Sequence, residues 1–289
     1  MAITYPDAAF IGTLLAELFL GVYVVTFGLY VKILRVRKAP LHIVDYGVIA
    51  LFILGVTTIV TDAVQQFFTL MRGGAPWTEK VNSATSTLGL TMDFLSQAIL
   101  IYRCWIVWGQ RYWVIALPAV LTLTSYVTGF VVTVDLASSM NSFKVISKDW
   151  WVPLGTTSMG LSLSVNALVS GLMIGRILYV YRQSHGSSPG AVARASFAVA
   201  VLVESAIALF FAQLVFLVLY TIESPAFSLV GVPVAVIYGL NCTVIMVRVG
   251  MNHSYETTMV HGSTTDVNDT THQRESASNN SQEKLESPV

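Results

Sequence analysis

Seven stretches of this chain are long and apolar enough to cross a bilayer, at 9–31, 44–70, 84–108, 113–134, 153–181, 196–220 and 226–247. A hydrocarbon core about 30 Å thick takes ~20 residues of helix at 1.5 Å each. Inside it, only helices and closed barrels satisfy their own backbone hydrogen bonds. Residues 112–134, 150–175 and 224–247 contain no Asp, Glu, Lys or Arg, and each exceeds the ~18 residues that mark a candidate span. Composition agrees: 54% of residues are hydrophobic and 11% charged, against about 25% charged in soluble domains. A water-soluble enzyme is excluded. Sixteen Lys+Arg offset sixteen Asp+Glu, leaving no basic excess to hold nucleic acid. The predicted fold is an all-α membrane protein, a seven-transmembrane-helix bundle over residues 1–249, with the lipid bilayer as its first partner.

The ends of the spans carry the signals of a membrane–water boundary. All six tryptophans, Trp77, Trp105, Trp108, Trp113, Trp150 and Trp151, fall at or just beyond a predicted end, where an amphipathic indole sits at headgroup level. A Gly/Ser/Pro-rich connection is expected from Arg182 to Arg194. The odd connections and the C-terminal segment hold twelve Lys and Arg, the opposite side four. Basic residues stay inside the cell, so the expected topology is N-terminus outside and C-terminus cytoplasmic. Residues 250–289 change character: six acids against Arg274 and Lys284, rich in Ser, Thr and Asn. Such a segment does not offset its own ordering entropy and reads as a disordered cytoplasmic tail.

Ionisable side chains at membrane depth cost at least ~2.5–3.5 kcal/mol and mark functional candidates. Glu17, Asp62 and Asp93 lie on three consecutive spans, each ~12–14 Å below the outer surface at 1.5 Å per residue. Helical periodicity places Thr13 with Glu17, Thr58 with Asp62 and Gln65, and Ser86 with Asp93 and Gln97, on stripes expected to face inward. Span five repeats the pattern with Ser158, Ser162, Asn166 and Ser170. Glu17, Asp62, Asp93, Gln65 and Gln97 are therefore the candidate binding residues for a small-molecule ligand, amine or cation. The alternative is interhelical hydrogen bonding with protonated acids. Near the basic ends, Glu204 paired with Arg103 or Arg176 would form a latch that ties moving helices together; the alternative is that both arginines snorkel to phosphates.

All five histidines lie outside the predicted spans, so an intramembrane zinc site lacks its ligands. Residues 226–247 hold no Lys for a retinal Schiff base, and no H-E-x-x-H or Walker-type loop occurs. No catalytic set, metal or cofactor is expected, and the chain does not read as an enzyme.

The run IYRCWIVWG at 101–109, with Trp113 and Pro118 after it, resembles a motif of fungal, basidiomycete-type seven-span integral membrane proteins. LGVYVVTF at 20–27 and VES at 203–205 resemble the same group. The resemblance covers the spans and implies topology and a fungal origin, without an activity. Span count and orientation are also similar to those of G-protein-coupled receptors, although Arg103 lacks a preceding acid and span seven has no Asn-Pro-x-x-Tyr. Together these readings lead to a receptor-like sensor of the plasma membrane, with a cytoplasmic signalling protein as a further partner. A proton- or cation-coupled transporter is the alternative.

Overall fold

The computed structural model describes residues 5–37, 42–72, 78–140, 151–183, 189–222, 224 and 226–248. The segment read as a disordered tail lies outside them. Among the described residues the chain is helical throughout, with no strand. The helices are α1 (Tyr5–Arg37), α2 (Ile43–Arg72), α3 (Thr78–Val107), α4 (Tyr112–Met140), α5 (Trp151–Gln183), α6 (Pro189–Thr221) and α7 (Phe227–Arg248). All seven contain a segment long and apolar enough to cross a membrane. This is an integral membrane protein by architecture.

Its surface is turned inside out relative to a soluble bundle. Leu18, Val25, Val60, Val120 and Phe211 are exposed, while Asp62, Asp93, Gln97, Asn166 and Gln213 are buried. Lipid makes that arrangement favourable, because apolar side chains lose nothing by facing hydrocarbon and polar ones find partners only inside. α7 is the most buried helix and α6 the least. Around α7, Gly12 of α1 approaches the backbone of Ser228 and Leu229, Tyr23 lies against Gly239, and Cys242 Sγ contacts Ser96 O of α3 at 3.9 Å.

Several helices run past the expected span ends, by up to seven residues at the start of α6. The connection expected at 182–194 is shorter, because α6 starts at Pro189. Proline fits the first turn of a helix, where its missing N–H has no partner to lose. Pro118 and Pro233 lie within α4 and α7 without ending them. Between α3 and α4 the chain turns sharply. Gly109 and Gln110 take φ of 66° and 63°, and Gln110 N bonds Trp105 O at 2.9 Å. Left-handed residues of this kind close a helix C-terminus, and here they bring Trp108 and Arg111 to one end of the bundle.

Candidate functional site

Asp93 lies midway along α3 and is 8% exposed. One turn on, Gln97 donates through Nε2 to Asp93 Oδ2 at 3.0 Å and to Ser162 Oγ of α5 at 2.7 Å. The Ser162 hydroxyl donates to the same carboxylate oxygen at 2.7 Å. Gln213 of α6 donates to Ser162 Oγ at 3.1 Å and to the Tyr238 hydroxyl of α7 at 3.2 Å. Asn166 Nδ2, one turn from Ser162, completes the set by donating to Gln213 Oε1 at 2.9 Å. Six side chains from four helices thus share one hydrogen-bonded cluster.

Three acceptor atoms of these side chains are left over. Asp93 Oδ1, Gln97 Oε1 and Asn166 Oδ1 have no hydrogen-bond partner. All three are oxygen acceptors, and all three residues are more than nine-tenths buried. Among the described residues no Lys or Arg pairs with Asp93. An acceptor set without a donor suits a monovalent cation, an ammonium group or a water that brings its own hydrogens. Among the described residues, no group of three or more His, Cys, Asp or Glu is placed to hold a metal ion.

The other candidate residues form a separate group. Asp62 Oδ2 accepts a 2.6 Å hydrogen bond from Thr13 of α1. Gln65 is buried beside it in sequence, with Oε1 unpartnered. Glu17 does not face inward with them; it is exposed. Ala8, Ala16, Tyr23 and Tyr30 define the buried face of α1, and one residue beyond Ala16 turns the helix by about 100°. Ser86 of the α3 stripe is exposed as well, so burial on α3 deepens towards Asp93 and Gln97.

At the arginine-bearing end the expected latch has a different partner. Glu204 Oε2 accepts from Arg248 of α7 at 2.7 Å, not from Arg103 or Arg176. The pair lies at the protein surface, 69% and 35% exposed, because Glu204 stands on the α6 flank next to the end of α7. Arg176 instead stacks over Trp108 and Tyr179, 5.4 and 5.6 Å from their ring centres. Arg103 lies within electrostatic range of Asp45 and Tyr30. Asp45, which the sequence reading passed over, is 1% exposed and accepts from Tyr30 Oη at 2.6 Å and from His42 N at 2.7 Å.

Gln213 and Tyr238 were also not singled out from the sequence. Gln213 had a readable signal, a lone amide in the apolar run 206–219. Tyr238 had none, since a tyrosine in a span is ordinary. No family model, no curated protein and no solved structure matches this chain.

Proposed function

We propose that the protein is a receptor-like sensor of the plasma membrane, N-terminus outside, whose Asp93 cluster is the element that a bound cation or amine biases. One observation carries this reading: three unpartnered acceptor oxygens, deeply buried, within a hydrogen-bonded cluster joining α3, α5, α6 and α7. A ligand satisfying Asp93 Oδ1, Gln97 Oε1 and Asn166 Oδ1 would draw α3 and α5 onto itself. Asn166 and Ser162 hold Gln213, and Gln213 holds Tyr238, so the shift reaches α6 and α7. Differential contacts of that kind bias a two-state bundle. The Asp62–Thr13 pair and Gln65 form a second polar group between α1 and α2 within the same reading. No catalytic role is assigned, and the signalling partner is expected at the basic end.

A buried carboxylate with no cationic partner also favours the second reading, a proton- or cation-coupled transporter. One experiment separates them. Purified full-length protein is screened for thermal stabilisation by sodium, potassium and primary amines, beside Asp93→Asn, and both are tested for flux in vesicles. The sensor reading expects stabilisation of the native protein, its loss in Asp93→Asn, and no flux. Flux abolished by Asp93→Asn would establish the transporter instead. Equal behaviour of the two proteins throughout would reduce the cluster to helix packing.

A further inference from the structure

The arginine-bearing end holds a cavity of about 770 Å³, lined from the α3–α4 turn by Trp108 and Arg111 and from α5 by Gly171, Gly175, Arg176 and Tyr179. We propose that this groove binds one anionic phospholipid, with the phosphate on Arg111 and Arg176 and an acyl chain along α5.

Charge is the first argument. Among the described residues neither arginine has a carboxylate partner, and the buried Arg176 Nε has no acceptor. Contacts with the Trp108 and Tyr179 rings hold the guanidinium at the groove, and a planar guanidinium there suits an oxyanion. Trp108 is itself held by a 3.3 Å bond from Nε1 to Leu172 O.

Level is the second. The apolar span of α3 ends at Val107, that of α4 begins at Tyr112 and that of α5 ends at Tyr179. Three span ends meet at the mouth of the groove, so the membrane surface passes through it and both cations stand at phosphate depth. Basic pockets between helices at this level suit anionic headgroups.

Shape is the third, and it distinguishes a lipid from a free anion. From Arg176 the groove runs towards the bilayer interior over Leu172, Gly171, Leu168 and Ala167. A Cβ added at Gly171 or Gly175 meets nothing within 4 Å. The floor is small, apolar and open to hydrocarbon, as an acyl chain requires and inorganic phosphate does not.

The test uses full-length protein in mixed micelles of phosphatidylserine and phosphatidylcholine, with native mass spectrometry reading the retained lipid and thermal unfolding as a second readout. The native protein is expected to retain phosphatidylserine preferentially and to be stabilised by it. Arg111→Ala with Arg176→Ala should weaken that preference about tenfold. Gly171→Leu keeps both arginines and fills the floor; it should lose the retained lipid while unfolding normally in phosphatidylcholine. Equal retention of the two lipids by the native protein would overturn the proposal, and so would unchanged preference in Gly171→Leu. Inorganic phosphate that displaces the lipid or reproduces the stabilisation would show a soluble-anion site and overturn it too.

Discussion

Ser162 carries more of the buried cluster than its size suggests. Its hydroxyl donates to Asp93 Oδ2, while its oxygen accepts from Gln97 and Gln213. Ser162→Ala removes a donor from a buried carboxylate and strands two amide N–H groups. A single interhelical hydrogen bond in a membrane averages only ~0.6 kcal/mol, but three groups lose a partner together here, so a loss of about 2 kcal/mol is expected. Equilibrium unfolding of the purified protein in mixed detergent measures it, and a loss no larger than that of one ordinary contact would mean the amides re-pair elsewhere. Asp93, Gln97, Ser162 and Asn166 were all legible as polar residues on inward stripes. Their meeting was not, because the 3.6-residue period shows which face of a helix is buried and not which neighbour it meets. Gln213 and Tyr238 therefore joined the cluster only in three dimensions. Glu17 shows the converse: Thr13 next on its stripe is buried, yet the alanine and tyrosine series on α1 outweighs the polar one.

At the scale of elements, helix ends were legible to within seven residues, because hydrocarbon thickness and terminal charge both act on them. Close helix approach was legible only in part. Gly21 and Gly28 share the polar stripe of α1, yet a Cβ at either meets nothing within 4 Å. The glycine that matters is Gly12, where a Cβ would stand 2.6 Å from Ser228 O and 2.9 Å from Leu229 Cα. Backbone atoms of α7 cannot rotate away as a side chain would. Gly12→Ala is thus expected to push α1 off α7 and cost about 1–3 kcal/mol. Gly28→Ala should act oppositely, since open space leaves only the gain in helix propensity, up to ~1 kcal/mol. Unfolding both variants side by side checks the sign difference; equal effects would mean that α1 and α7 are not held at this distance in the membrane.

For the whole molecule, the governing fact is an apolar exterior that leaves the buried polar side chains to one another, and every reading of function depends on which end of that bundle faces the cell. On the topology proposed from the twelve-to-four bias of Lys and Arg, the α1–α2, α3–α4 and α5–α6 connections would lie inside. The groove at Arg111 and Arg176 would then face the inner leaflet, where anionic lipids give a negative surface potential. Both native cysteines are 1% exposed, so a membrane-impermeant maleimide has no ready target and single introduced cysteines can be read against a silent background. Ser147→Cys, between α4 and α5, is expected to react on intact cells. Ser187→Cys, between α5 and α6, should react only after permeabilisation. The opposite pattern would invert the bundle, leaving the hydrogen-bond geometry of the Asp93 cluster intact but removing the case for an extracellular stimulus.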